Sequence, residues 1–182
     1  MYGTDVSTGG NVGNVAAETL PDLVVAQPTW PTNVTSTAQG RVFIYFGTSN
    51  STLDTVNFIE IRGVAGEAFG STAQIIKDID NDGLDELAIS AHSQGGGQGR
   101  VYIFRGRSAN PTGTPANAND NWYTSRSGGF VSSSAANWIL AGPTPVASGG
   151  NEFGRLRWGV TQLGDVDNDG RQDFAIPMSK LA

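Results

Sequence analysis

Two stretches of alternating aromatic and β-branched residues stand out along the chain. Residues 40–47 read GRVFIYFG and residues 99–106 read GRVYIFRG, each bracketed by glycine. Runs of this kind between turn residues predict β-strands. Shorter apolar runs, LVVA, LAIS and FAIP, each follow an acidic stretch, and the extended runs VNFIEIRG and NWILAG complete the pattern. The chain is therefore predicted to be all-β.

The predicted strands recur in one order, which indicates internal repeats. Phe69-Gly70 precedes DIDNDGLDELAIS, which starts at Asp78, and Phe153-Gly154 precedes DVDNDGRQDFAIP, which starts at Asp165. A weaker copy begins at Tyr2-Gly3. Three modules follow from this pattern, at residues 1–55, 56–136 and 137–182. About four short strands per module is typical of a β-propeller blade.

Two segments depart from the repeat. Residues 107–136 are rich in Ser, Asn, Gly and Pro and predict a long surface insertion in the second module. The third module ends soon after its acidic loop: earlier GRV strands begin 26 residues after Asn14 and 21 after Asp78, so a third would begin beyond Ala182. We expect a segment of a larger propeller, completed by the same precursor or by another chain.

The composition limits the classes of partner that the chain could bind. The net charge is −6 with only two lysines, which argues against nucleic acid as a partner. Cysteine is absent, so the sequence offers no disulfide framework and no thiolate metal site. No apolar run is long enough to span a membrane, and no export signal follows Met1. We expect no membrane insertion by this chain and, if it is exported, a signal peptide that it does not carry.

The two clear acidic loops have the ligand pattern of a hard cation. Carboxylates stand at loop positions one, three, five and nine, with glycine at position six, and a backbone carbonyl at position seven completes six to seven oxygens for Ca²⁺. The predicted ligands are Asp78, Asp80, Asp82, Leu84 and Glu86 in one loop and Asp165, Asp167, Asp169, Arg171 and Asp173 in the other.

Two other structures share features with these loops. An EF-hand needs glutamate at position twelve and flanking helices, but Ile89 and Ile176 stand there in apolar strands. Simple acidic turns remain the alternative, because Asp, Asn and Gly favour turns without any ion. The first module keeps only Asn14, Glu18 and Asp22 of the pattern, so weak calcium binding or none is expected there.

Phe69-Gly70, Phe153-Gly154 and the two acidic loops make the chain resemble the FG-GAP repeat family, the blades of the integrin α-subunit propeller and of many secreted bacterial proteins. The resemblance implies an all-β propeller of the FG-GAP and integrin-α type with structural Ca²⁺. It also implies an extracellular or cell-surface role in adhesion, ligand recognition or assembly, with a protein or glycan as partner.

The rival class is a non-catalytic or carbohydrate-binding module of a secreted carbohydrate- or lipid-active enzyme. Catalysis by this chain is not expected, because the sequence has no nucleophile elbow, paired-histidine helix or phosphate loop. The single histidine, His92, is predicted to be solvated and without a partner. Trp122 and Tyr123 in the polar insertion are candidate partner contacts, whereas Trp138 is predicted to pack in the core.

Overall fold

The computed structural model describes residues 3, 5–13, 20–31, 37–48, 50–93, 98–106, 130–143 and 159–178. These residues form β-strands, connecting turns and one 3-10 turn at Ser133–Ala135. Within these ranges no helix is long and apolar enough to cross a membrane. The predicted all-β class is confirmed.

The first sheet has five strands, in the order β1, β2, β3, β4, β8. The first four pair antiparallel with their neighbours, and β8 pairs parallel with β4 at the sheet edge. The strands are β1 (Asp5–Thr8), β2 (Leu23–Gln27), β3 (Arg41–Gly47), β4 (Leu53–Arg62) and β8 (Val131–Ser132).

The second sheet has four antiparallel strands, in the order β5, β6, β7, β9, and a third sheet pairs β10 with β11. Each predicted GRV run forms the third strand of its sheet, as β3 and β7. The strands are β5 (Ala73–Ile76), β6 (Glu86–Ala91), β7 (Arg100–Phe104), β9 (Trp138–Ala141), β10 (Thr161–Gly164) and β11 (Asp173–Ala175).

The second sheet is buried on both faces. Alternate residues of β7 point to opposite sides of a strand, so Tyr102 and Phe104 join the apolar core shared with the first sheet, while Val101 and Ile103 join a second core. That second core includes Val160 and is packed by Phe174 of the third sheet. Successive sheets thus pack through their apolar faces, as propeller blades do.

The aromatic-glycine pair connects two sheets. Phe69 is fully buried, lies 5.4 Å edge-on from Tyr102, and forms a bridge with Gly40 at the start of the first GRV run. Gly40 has a φ of +76°, and a Cβ there would lie 2.1 Å from the Phe69 carbonyl oxygen. Only glycine permits this approach, which explains why GRV begins with one.

The sheets divide the chain at places other than the predicted module boundaries. The predicted boundary at 55/56 lies inside β4, which is a strand of the first sheet, and β9 pairs with β7 rather than opening the third module. The fourth strand therefore belongs to the preceding sheet. The end of the predicted insertion also differs from a surface loop, because Val131 and Ser133 are buried beside β4.

Candidate metal-binding loops

The loop of residues 78–86 joins β5 to β6 and is shaped by its own carboxylates. The Asp78 oxygens accept hydrogen bonds from the backbone N–H groups of Asp82 (3.1 Å) and Gly83 (2.8 Å). Asp82 accepts from the N–H of Leu84 at 3.0 Å. Gly83 has a φ of +88°, a conformation that glycine adopts without strain. These local bonds close the loop around its acidic positions.

The loop of residues 165–173 joins β10 to β11 and repeats these internal bonds, with one more that the N–H of Asp169 donates to Asp167 at 3.1 Å. Asp165 accepts from the N–H groups of Asp169 (3.1 Å) and Gly170 (2.9 Å), and Asp169 accepts from the N–H of Arg171 at 2.9 Å. Gly170 also has a φ of +88°. Two loops 87 residues apart in the sequence thus have equivalent backbone structure.

The carboxylates of each loop converge. One oxygen from each of Asp78, Asp80, Asp82 and Glu86 lies within 4.8 Å of the others, and Asp165, Asp167 and Asp173 meet the same limit. Asp169 is predicted as a ligand but is not a member of this second group. The predicted carbonyl ligands, Leu84 and Arg171, stand at position seven with their N–H groups bonded to the position-five carboxylates; their role as ligands stays a prediction.

The carboxylate at position nine also holds the loop. Glu86 is fully buried and accepts from the N–H groups of Ile79 (2.8 Å) and Gly106 (3.3 Å). Asp173 accepts from the N–H of Val166 at 2.7 Å in an exposed setting. This residue therefore has a structural role beside any ligand role.

Burial and, after it, neighbouring negative charge raise the pKa values of carboxylates in loop 78–86. Burial, followed by the charges of Asp80 and Asp82, raises the pKa of Glu86 to about 7, although two N–H donors oppose the shift. Burial also raises the pKa of Asp82, with further contributions from Asp80 and Asp78. Carboxylates in this state are stabilised by a neutralising cation.

The residues present fit a hard divalent cation. Both carboxylate oxygens of Asp80 are buried, and among the described residues neither accepts a hydrogen bond from a backbone N–H group. Their charge is met by the Arg105 guanidinium, whose Nε contacts Asp80 and whose Nη2 lies 3.3 Å from Asp82. Buried carboxylate oxygens that accept no backbone N–H bond are suited to a metal ligand shell.

In the first module the position-nine carboxylate, Asp22, is described, and no cluster of carboxylates is found among the described residues there. Asp22 is fully buried and accepts from the N–H groups of Val12 (2.8 Å), Gly13 (3.2 Å) and Gly47 (3.0 Å). Burial raises its pKa to about 6, although these N–H donors oppose the shift. Asp22 thus satisfies three buried backbone N–H groups. Asn14 and Glu18, the other remnants of the pattern, lie outside the described residues.

The predictions for the aromatic residues have different outcomes. Trp122 and Tyr123 lie outside the described residues, so their role stays a prediction. Trp138, expected in the core, is 38% exposed because it stands on the edge strand β9, and its ring centroid lies 5.9 Å from the Arg105 guanidinium carbon. The core expectation for Trp138 was wrong. Trp30 has Arg41 and Arg62 over its ring at 4.7 and 4.8 Å.

His92 has a partner that the sequence did not reveal. The Ser71 hydroxyl contacts His92 Nδ1 and donates to the Ala68 carbonyl at 2.7 Å. Since the hydroxyl proton is used on the carbonyl, Nδ1 must donate to Ser71. This is the reverse of the bond that a general base needs to activate a serine. The pair is arranged as a turn contact between Ser71 and His92, not as a nucleophile and its base.

One segment of the chain matches the model of a known family. Residues 69–104 match the model of the FG-GAP repeat. The match starts at the buried aromatic-glycine pair, contains loop 78–86 and ends with β7. The predicted resemblance is thereby confirmed.

A longer similarity connects the chain to a curated protein. It is 38% identical over 90 residues to integrin alpha-4 of Xenopus laevis. The aligned part is 48% of this chain and spans 8% of the length of that relative.

Proposed function

We propose that this chain, which carries an FG-GAP repeat and is similar to a short part of an integrin alpha chain, is a calcium-binding propeller segment of an extracellular adhesion protein. In this proposal calcium is structural, and the partner is a protein or glycan. The remaining blades come from the same precursor or from another chain. The segment itself is not an enzyme.

One observation carries the calcium part of the proposal. Carboxylates converge within 4.8 Å at equivalent places in two successive units, between the first and second strands of each sheet. Acidic turns need no such convergence, because like charges that close together repel unless something neutralises them. Repetition of the arrangement favours a common ligand over chance.

The arrangement is suited to stabilising a loop rather than to chemistry. The loop carboxylates would be held ionised by a bound cation, which makes them poor general acids. The hydrogen bonds that the loop N–H groups donate to Asp78 and Asp165 keep the backbone folded around the cluster. A cation that joins the carboxylates would fix the connection between two strands that carry the core.

The cellular location is proposed from the same features. Extracellular calcium modules bind with dissociation constants of about 10⁻⁴–10⁻³ M, which suits the millimolar calcium outside cells. A loop that is exposed over positions 166–171, such as the third, is compatible with that modest affinity. The similarity to part of an integrin alpha chain supports a cell-surface or secreted protein.

Calcium-dependent stability tests the proposal. We expect two calcium ions per chain by native mass spectrometry. Saturating calcium should raise the free energy of unfolding by about 1–3 kcal/mol per site, because a ligand that binds only the folded state stabilises by mass action. Asp78→Asn and Asp165→Asn should each remove one ion, while Asp54→Asn, in β4 outside both loops, should remove none. A chain that binds no calcium would disprove the proposal.

Adhesion needs a separate experiment. Surfaces coated with the chain should retain cells in millimolar calcium and lose most of them after chelation. The Trp122→Ala and Tyr123→Ala double variant should bind calcium normally but reduce attachment if these residues contact the partner. Equal attachment by the wild type and the double variant would remove both from the contact surface.

A further inference from the structure

Arg105 occupies a place that is apolar in the preceding blade. In the repeat alignment GRVYIFRG over GRVFIYFG, Arg105 corresponds to Phe46. Phe46 is 1% exposed and packs between the first and second sheets. Val101 and Ile103, on the same face of the second sheet as Arg105, pack toward the third sheet. A cation therefore replaces an apolar residue at the inter-sheet position next to loop 78–86.

The guanidinium of Arg105 contacts two of the predicted calcium ligands. Its Nε contacts Asp80, and its Nη2 lies 3.3 Å from the Asp82 carboxylate. Asp78 and Glu86 already accept two backbone N–H bonds each. Asp80 accepts none from the described residues. The carboxylate with the most free acceptor capacity is therefore the one that Arg105 contacts.

The third loop differs in this respect. In the described ranges, no lysine or arginine forms an ion pair with the carboxylates of residues 165–173. The internal bonds of the two loops correspond, except that Asp167 also accepts a bond from the N–H of Asp169 at 3.1 Å. Among the described residues, a guanidinium contact is thus found at loop 78–86, where Arg105 directly follows the last residue of β7.

We propose that Arg105 and calcium compete for Asp80 and Asp82, so that Arg105 weakens the binding of calcium by loop 78–86. The inference rests on the proposed calcium function. When calcium binds, the guanidinium leaves the two carboxylates and moves over the ring of Trp138. That ring is already 5.9 Å from the guanidinium carbon and borders a cavity of about 290 Å³ with Ile79 and Phe174.

The competition can be measured in a chain whose third loop is disabled by Asp165→Asn and Asp167→Asn. Calorimetric titration with calcium chloride then reports loop 78–86 alone. In this background Arg105→Gln should tighten calcium binding about tenfold, which corresponds to about 1.4 kcal/mol. Arg105→Lys keeps the positive charge and should bind nearly as weakly as the parent.

A matched control separates local competition from general charge. Lys77 lies next to the same loop, and its Nζ is 2.8 Å from Asp85, which is not a predicted ligand. Lys77→Gln removes the same unit of charge, and we expect at most about a threefold gain in affinity, as for a solvent-exposed pair. Tryptophan fluorescence gives a second measure, since calcium should change the emission of Trp138 in the parent and not in Arg105→Gln.

Each outcome decides the inference. A much larger gain for Arg105→Gln than for Lys77→Gln, with Arg105→Lys close to the parent, supports it. Equal gains, or weaker binding by Arg105→Gln, would overturn it while leaving the calcium function intact. No calcium binding by loop 78–86 in any variant, while the chain with both loops intact binds calcium, would also overturn it. If the chain with both loops intact binds no calcium, the proposed function fails with it.

Discussion

Loops 78–86 and 165–173 have one internal structure in two different surroundings. Their position-one carboxylates accept the same pair of N–H groups, and both glycines have a φ of +88°. Yet Glu86 is fully buried, whereas Asp173 accepts its N–H bond in an exposed setting. The motif therefore determines the loop backbone, and the neighbouring strands determine how strongly each carboxylate is coupled to the fold.

The difference has a geometric origin. The second sheet is packed on both faces, so its loop lies against β7 and Gly106, and Glu86 reaches the N–H of that glycine. A Cβ on Gly106 would lie 2.4 Å from the Asp85 carbonyl oxygen, so the strand and the loop are in close contact. In the described residues of the third unit, β10 pairs with β11, and positions 166–171 of its loop are exposed.

The largest expected effect is on the position-nine carboxylates. Glu86→Ala leaves two N–H groups without their acceptor inside the fold and should lower the free energy of unfolding by about 3 kcal/mol. Asp173→Ala leaves one exposed N–H and should cost about 1 kcal/mol or less. Urea unfolding of the calcium-free proteins measures both.

Asp54→Ala in β4 serves as the control for carboxylate loss. Glu86→Gln, which keeps one acceptor oxygen, should be intermediate and provides a second measurement if Glu86→Ala does not fold. Equal losses for Glu86→Ala and Asp173→Ala would show that the two loops are coupled to the fold alike.

The first loop extends the comparison of the loops to a third position-nine carboxylate, Asp22. The described residues around Asp22 hold no cluster of carboxylates. Its pKa of about 6 in the folded state lies above the ordinary value of 3.8, so the folded protein binds this proton more tightly. The contribution of Asp22 to the free energy of unfolding should therefore rise as the pH falls from 7 toward 4. Between pH 7 and pH 5 the rise is about 1 kcal/mol.

Urea unfolding of calcium-free protein at these two pH values isolates this contribution when the wild type is compared with Asp22→Asn. The variant should gain less stability on acidification, because its amide does not titrate. Glu86 has a raised pKa with the same sign of effect and remains in both proteins, so only the difference between them is assigned to Asp22. Equal gains in the two proteins would contradict the assignment.

The strands and the loop pattern could be predicted because their signals are local. Alternation in GRVFIYFG identified β3, and the spacing of Asp78, Asp80 and Asp82 identified the convergent carboxylates. Contacts between distant segments could not be predicted in this way. The pairing of β8 with β4 and the contact of Ser71 with His92 both join residues with no shared sequence pattern.

The role of Arg105 could be predicted only in part. Overlaying the two GRV strands shows arginine in place of Phe46, which marks an unusual residue, but only the fold brings it to Asp80. For Trp138 the sequence was misleading, because its apolar strand predicts burial. The strand lies at a sheet edge, and the side chain is partly exposed. The burial of a side chain depends on which other strands cover its own strand, and this depends on the topology of the whole fold.

The smallest expected effect tests whether the two loops really have the same backbone. Gly83 and Gly170 have the same positive φ, and a Cβ on either would meet no atom within 4 Å. Alanine should therefore cost only the strain of the left-handed conformation, about 1 kcal/mol, and the cost should be equal in both loops. Urea unfolding of Gly83→Ala and Gly170→Ala in calcium-free buffer gives the two values.

Asparagine makes the matched control, because it tolerates a positive φ better than alanine, as Asn81 and Asn168 do at φ of 62° and 63° in the same loops. Gly83→Asn and Gly170→Asn should therefore recover part of the lost stability, again by equal amounts. A clear difference between the two glycines would mean that the surroundings change the loop backbone as well as its charge balance. Equal values would leave the coupling of Glu86 and the position of Arg105 as the features that distinguish the second loop from the third.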